Sequence, residues 1–236
     1  QQPVEALIDW CVGYAFHECA KLREDAFQRQ HYANRLAQLG RHQGVTAELY
    51  DPLRRLGEQT AESSSRELQR ILPGEDIIYF GDSANCPYGN KTADQIFELS
   101  CHMLQFLGSN GVKCTAVACN TISTMAERLR PCFDFRIISI VEEAAKYVIR
   151  EKLSSVGLIG TEFTVASGKY AELIHQGNPD CHVVGKGSPL LAALVDRGDF
   201  NQHDINLEIT TQVDNILSRE KVNDLILGCT HYPIVE

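Results

Sequence analysis

Apolar runs typical of buried strands alternate with helical patterns over most of this chain. The clearest runs are Cys114–Ala118, Val156–Gly160 and Leu225–Gly228, and amphipathic segments separate them. Strands that alternate with helices predict a parallel sheet with helices on both of its faces. We therefore expect an α/β fold, in which ligands bind at the carboxyl ends of the strands.

Two of these strand-like runs end at a cysteine that polar residues follow. Cys119 precedes the pair Asn120-Thr121, and Cys229 precedes the pair Thr230-His231. The two cysteines are 110 residues apart, which is about the size of one compact α/β lobe. This spacing predicts two lobes, each of which contributes one cysteine to a shared cleft.

Composition argues against two classes of partner. The 236-residue chain has a net charge of −9 with histidines neutral, whereas nucleic-acid binding needs clustered Lys and Arg. No apolar run approaches the roughly 20 residues that a membrane-spanning helix needs, and no signal peptide is evident. We expect a cytoplasmic protein with neither nucleic acid nor a membrane as partner.

The nine cysteines are irregularly spaced and form no Cys-x-x-Cys motif. A zinc ribbon or a thioredoxin-like site is therefore not predicted, and no metal site is expected. Reduced thiols of a cytosolic protein fit this pattern best, and most of them should be small buried apolar residues. Cys86 and Cys181 receive no functional role.

Residues 77–92 combine a predicted strand with a turn-rich loop. Ile77–Phe80 has the composition of a strand that Gly81-Asp82 ends, and the loop Ser83–Asn90 is rich in turn formers. Thr92 is predicted to cap a helix that runs to about Leu107.

Four motifs, in order along residues 62–236, resemble the glutamate racemase family of the aspartate/glutamate racemase superfamily. They are Tyr79-Phe80-Gly81-Asp82 with Pro87-Tyr88-Gly89, Ala118-Cys119-Asn120-Thr121, Gly157-Leu158-Ile159-Gly160-Thr161 with Thr164, and Gly228-Cys229-Thr230-His231-Tyr232-Pro233. The resemblance implies two pseudo-symmetric α/β lobes, each a mostly parallel sheet flanked by helices, with the active site in the cleft between them.

The same resemblance implies interconversion of L- and D-glutamate without a metal or organic cofactor, supplying D-glutamate for peptidoglycan in the bacterial cytoplasm. A homodimer is one arrangement that it leaves open. Cys119 and Cys229 would be the catalytic pair, one removing the α-proton and the other returning a proton to the opposite face. A thiol suits this task because its reference pKa of about 8.5 is near neutrality. A helix amino terminus at the strand end should lower that pKa further.

Supporting roles follow partly from residue chemistry and partly from the family. By family analogy His231 assists Cys229, and Asp196 stands where the family usually has Glu. Neutral donors and acceptors for the substrate are predicted at Asn120, Thr121, Thr161, Thr164 and Thr230, and the family adds Pro87, Tyr88 and Gly89. Several of these residues could instead have purely structural roles. Thr161 and Thr164 could be plain helix caps, Tyr88 a packing residue and His231 a structural hydrogen-bonding residue.

We expect a first lobe at residues 58–140 and a second at residues 141–236. Residues 1–57 are predicted to be helical, and in a permuted or joined order they would supply the carboxyl-terminal part of the first lobe. An incomplete sequence is the other explanation that we favour for the absence of this part after the last motif. The family's Asp-Ser-Gly loop has no counterpart ahead of Pro73. A non-catalytic amino-acid-binding homologue therefore stays open as an alternative. An aspartate racemase is the other alternative, because selectivity for side-chain length cannot be read from one sequence.

Overall fold

The computed structural model describes residues 75–82, 84–196 and 202–232. The predicted helical segment 1–57 lies outside these ranges, so its relation to the first lobe stays a prediction. Within the described ranges, no helix combines the length and the apolar character needed to cross a membrane.

Strands and helices alternate along the described chain. The strands are β1 (Cys114–Val117), β2 (Arg136–Ser139), β3 (Ser155–Thr161), β4 (His182–Ser188) and β5 (Asp224–Gly228). The α-helices are α1 (Ala93–Ser109), α2 (Asn120–Ser123), α3 (Ala126–Leu129), α4 (Ile140–Arg150), α5 (Glu162–Ala166), α6 (Lys169–Gly177), α7 (Leu191–Asp196) and α8 (Gln202–Arg219). Two short 3-10 helices cover Tyr88–Asn90 and Arg130–Cys132.

The strands form two parallel sheets, as their alternation with helices predicts. Strand β1 pairs with β2, and β3 lies between β4 and β5. Every residue of β3 is buried, which explains the uninterrupted apolar run Val156–Gly160 within it. Because the strands of each sheet run the same way, the residues that follow them collect at one edge.

Local sequence determines where several helices begin and end. Thr92 caps α1 in a capping box with Gln95, so the predicted cap is correct. Between β3 and β4 the chain forms two helices, α5 and α6, rather than one continuous helix. Gly168 lies between them with φ +65°, a left-handed conformation that glycine adopts without steric cost.

The strand predicted at Ile77–Phe80 is wrong. Residues 76–82 have no regular secondary structure, and the side chains of Ile78, Tyr79 and Phe80 are exposed. The Phe80 ring instead contacts Phe106 of α1, with ring centroids 5.2 Å apart. An apolar run predicts burial, but a strand also needs a neighbouring strand, and none of the described strands pairs with this segment.

Apolar packing joins the two sheets. Ile138 of β2 lies in the same buried cluster as Val148 of α4 and Leu158 of β3. A second cluster beside it packs α1 against β2 through Ile96 and Ile137. The lobe boundary expected at residues 140 and 141 therefore falls within a shared core, and its exact position stays a prediction.

Candidate active site

The two strand-end cysteines occupy comparable positions in the two sheets. Cys119 lies just beyond β1 and is the N-cap residue of α2. Cys229 directly follows Gly228, the last residue of β5. A side chain at Gly228 would lie 2.9 Å from the carbonyl oxygen of Ile159, so only glycine allows β5 to approach β3 this closely. This close approach helps to place Cys229 at the sheet edge.

An imidazole lies between two thiols at this edge. His231 Nδ1 is 3.6 Å from the Cys229 sulfur, and His231 Nε2 is 3.7 Å from the Cys86 sulfur. Cys229 itself is buried, whereas Cys86 and His231 are partly exposed. Each ring nitrogen therefore has a sulfur partner, and which nitrogen carries hydrogen decides which sulfur accepts.

The Cys119 thiol lies within electrostatic reach of this group. Desolvation raises the pKa of Cys119 to about 11; the backbone N–H of Ile122 acts in the opposite direction, and nearby Cys229 adds to the increase. His231 also favours the thiolate. The N–H group at the helix amino terminus therefore lowers the pKa of Cys119 as expected, but desolvation raises this pKa by more. The expected net lowering of the pKa at Cys119 is wrong.

Tyr88 lies near Cys119 and hydrogen-bonds to a carboxylate. Its hydroxyl donates a hydrogen bond to Asp82 Oδ2, and Asn85 Nδ2 lies 2.9 Å from both oxygens of the same carboxylate. Burial, together with this hydrogen bond, raises the pKa of Tyr88 well above its usual range, and Cys119 and Cys86 contribute. Tyr88 is thus a neutral phenol held in place at the edge of the thiol group.

Three predicted substrate-binding threonines form a closed triangle of hydroxyl groups. Thr121 Oγ1 is 3.1 Å from Thr161 Oγ1 and 3.2 Å from Thr164 Oγ1, which are themselves 2.9 Å apart. All three side chains are buried. Thr161 also caps α5 by accepting from the Thr164 backbone N–H. Cap formation and hydroxyl clustering therefore occur in the same residues.

The other predicted substrate-binding residues differ in their burial and in their contacts. Asn120 is buried, and its Oδ1 accepts from the Tyr170 hydroxyl at 2.6 Å. A side chain at Gly89 would lie 2.5 Å from Thr161 Cβ, so the loop after Pro87 packs directly on Thr161. Thr230 is half-buried in the turn after Cys229.

Asp196 is the last residue of α7, and its side chain lies outside the described structure. The role of Asp196 stays a prediction, as do the roles of the other predicted site residues. Within the described residues, no three His, Cys, Asp or Glu side chains are arranged to hold a metal ion.

Sequence reasoning missed Cys86 and Asp82. Cys86 directly precedes the predicted substrate loop, and Asp82 closes the first family motif, so position was the available signal for both. A single cysteine without a metal-binding or redox motif is by default a packing residue. The contact between Cys86 and His231 joins residues that are 145 positions apart, so a local sequence pattern could not predict it.

The fold and this site define an α/β protein with two cysteines at the carboxyl edges of parallel sheets. The model of the Asp/Glu/Hydantoin racemase family matches residues 56–236, and the chain belongs to that family.

Individual relatives agree with this assignment. A glutamate racemase from Oceanobacillus iheyensis is 32% identical over 172 residues, and one from Desulforudis audaxviator is 36% identical over 172 residues. Both alignments cover 72% of this chain and 63% of the relative, so the chain spans less than two thirds of their length.

Solved structures of glutamate racemases have the same fold. The enzyme from Francisella tularensis, crystallised with D-glutamate, has a TM-score of 0.68 and 34% identity over 76% of this chain and 67% of that one. A Bacillus anthracis glutamate racemase gives a TM-score of 0.68 and 30% identity with the same coverage. These neighbours confirm the two-lobe α/β fold.

Proposed function

We propose that this chain catalyses the interconversion of L- and D-glutamate without a cofactor, using Cys119 and Cys229 as its two acid–base groups. The observation that carries the proposal is the proximity of Cys119 to the Cys229–His231 pair, although the two cysteines leave different sheets. Membership of the racemase family supports the same conclusion. The lobes proposed for this chemistry are residues 58–140 and 141–236.

Racemisation requires a base on one face of the α-carbon and an acid on the other. One thiolate removes the α-proton, and the opposite thiol donates its proton to the resulting carbanion. The product is the mirror image of the substrate, and the thiol and thiolate have exchanged places. Two fixed groups achieve this without the swing that a single base would need, and each such group contributes about 100- to 10,000-fold in rate.

The pKa of about 11 at Cys119 limits its use as a base in the ligand-free protein. Very little Cys119 thiolate is therefore present at neutral pH in the absence of substrate. A bound amino acid brings an ammonium group, and a nearby positive charge favours the thiolate. We infer that substrate binding, together with His231, generates the reactive form.

Substrate recognition is assigned to the hydroxyl and amide groups next to the thiols. The triangle of Thr121, Thr161 and Thr164 contains three hydroxyl hydrogens, and a carboxylate would accept one or more that now point to a neighbouring hydroxyl. Asn120 and Thr230 flank the two cysteines. Preorganised donors aimed at the substrate carboxylate would also stabilise the developing carbanion.

The proposed setting is the bacterial cytoplasm, where D-glutamate is used for peptidoglycan. Glutamate is the partner proposed for the reaction, and assembly as a homodimer is part of the proposal. Light scattering on the purified chain tests the dimer independently of activity.

Cysteine variants test the proposed reaction. Cys119→Ser and Cys229→Ser should each lower kcat/KM for glutamate by about 100- to 10,000-fold, because serine is a far weaker acid than cysteine. Cys132→Ser, which changes an exposed thiol on the 3-10 helix Arg130–Cys132, is the matched control and should keep wild-type turnover. Far-UV circular dichroism checks that the variants stay folded.

Exchange of the α-proton separates the alternatives. In D₂O, NMR should show loss of the glutamate α-proton signal as the enantiomers interconvert. Binding of glutamate without any exchange would indicate a non-catalytic homologue, and faster exchange of aspartate would indicate an aspartate racemase. Full turnover in both cysteine variants would falsify the two-thiol mechanism.

A further inference from the structure

The third thiol of the site, Cys86, has no role in the proposed reaction, yet it contacts the same histidine as Cys229. The contacts use opposite nitrogens of one ring, Nε2 toward Cys86 at 3.7 Å and Nδ1 toward Cys229 at 3.6 Å. Both lie within the range of hydrogen bonds that involve sulfur. A histidine held from both sides has a defined ring orientation.

We propose that Cys86 is a positioning residue that controls, through His231, whether Cys229 is a thiol or a thiolate; this inference rests on the proposed racemase function. Cys86 acts on Cys229 through the ring of His231 and does not need to touch the substrate.

Two arrangements of the three groups contain the same number of protons. In the first, the Cys86 thiol donates to Nε2 and the Nδ1–H donates to the Cys229 thiolate. In the second, the Cys86 proton has moved to Nε2 and the Nδ1 proton has moved to Cys229, so that Cys86 is the thiolate. The Cys229 thiolate is the base, and the Cys229 thiol is the acid.

A turnover leaves the catalytic pair with its protons exchanged, so Cys229 must be returned to its starting form before the same enantiomer can react again. The shift through His231 conserves the protons of the three groups, so this return also requires Cys86 to release one proton to solvent, while Cys119 takes one up. The location of Cys86 fits this role, because it is partly exposed whereas Cys229 is buried. A proton can therefore pass between solvent and Cys229 by way of Cys86 and His231.

Elimination from a chlorinated substrate isolates one thiol at a time. With 3-chloroglutamate, a thiolate removes the α-proton, chloride leaves the β-carbon, and the product hydrolyses to 2-oxoglutarate and ammonia. No proton has to be returned from the opposite face, so each configuration at the α-carbon reports on one cysteine. The configuration whose elimination is lost in Cys229→Ala is the one that uses Cys229.

Cys86→Ala should slow elimination from that configuration at least tenfold and from the other less than twofold. Cys86→Ser should shift the ratio of the two rates by threefold or more, but less than Cys86→Ala, because a serine hydroxyl can orient the ring but is too weak an acid to release its proton. Cys132→Ser should leave the ratio unchanged. Because both rates come from one protein sample, partial unfolding lowers them together and does not imitate the result.

A second comparison tests whether Cys86 acts through His231. His231→Gln should shift the same ratio, and adding Cys86→Ala to it should cause less than a twofold further change. A ratio within twofold of wild type in both Cys86 variants, or an independent effect in the His231→Gln background, overturns the inference. If the wild-type chain neither eliminates chloride nor racemises glutamate, the proposed function itself fails, which is a different result.

Discussion

At the scale of single residues, desolvation and hydrogen bonding compete at Cys119. The thiol is an N-cap, a position that stabilises negative charge, but its surroundings raise the pKa to about 11. Tyr88 shows the same dominance of burial, since its phenol stays protonated beside the Asp82 carboxylate. Residue type and position in an element thus do not determine ionisation; the surrounding packing does.

Alkylation measures the Cys119 pKa directly, because iodoacetamide reacts with the thiolate. A raised pKa means that less thiolate is present at every pH below about 11. The alkylation rate of Cys119 in the folded protein should therefore increase about tenfold per pH unit from pH 8 to 10 and level off near 11. Mass spectrometry of the Cys119 peptide follows the rate.

The urea-unfolded chain is the reference for this measurement and should level off near the reference value of about 8.5. His231→Gln should move the folded midpoint upward, because His231 favours the thiolate. A folded midpoint at or below that of the unfolded chain contradicts the assignment.

At the scale of elements, glycines allow helices and strands to approach closely around the site. A side chain at Gly187 of β4 would lie 2.6 Å from Glu162 Cα, in the first turn of α5. That turn contains Thr164 and follows its cap, Thr161. The position of the threonine triangle thus depends on the absence of a single methyl group on the neighbouring strand.

Gly187→Ala should lower the free energy of unfolding by about 1–3 kcal/mol, because the backbone of α5 has to move away from β4. Displacement of Thr161 and Thr164 should also raise KM for glutamate. Urea unfolding and steady-state kinetics measure the two effects.

Gly108→Ala is the matched control for this prediction. Its new side chain approaches only the ring of Phe135, at 3.0 Å, and alanine in a helix is more favourable than glycine by up to about 1 kcal/mol. Stability should therefore be unchanged or increased. Equal losses in both variants would show that the contact between β4 and α5 is not the cause.

At the scale of the whole molecule, polar contacts hold together groups that are far apart in sequence. Tyr170 of α6 donates to Asn120, which follows Cys119, and Thr121 meets Thr161 and Thr164 across 40 or more positions. These contacts are buried. They fix the first cysteine relative to the helices that pack on the second sheet.

Tyr170→Phe removes one of these connections and should lower the free energy of unfolding by about 1–3 kcal/mol, because Asn120 Oδ1 loses its hydrogen bond in a buried site. KM for glutamate should rise as Asn120 reorients. A double-mutant cycle with Asn120→Ala, measured by urea unfolding, should give a coupling of at least about 0.5 kcal/mol. Strict additivity would show that the two side chains do not support each other.

Much of this protein can be predicted from local patterns. Apolar runs and caps indicate strands β3 and β5 and helix α1, and the residues that follow the strands indicate Cys119 and Cys229. These predictions succeed because burial of one face and capping of one helix end depend on neighbours in sequence. Whether an apolar run becomes a strand also depends on pairing with a neighbouring strand. The apolar pattern of Ile77–Phe80 was misleading for this reason.

The tertiary structure alone decided which of these groups meet. The approach of Cys86 to His231, the triangle of hydroxyl groups and the raised pKa of Cys119 all depend on sheet order and on packing between elements. Sequence periodicity reports which face of an element is buried, but not what lies against that face. Distances and desolvation across the fold are properties of the assembled chain, so they appear only when the elements are packed together.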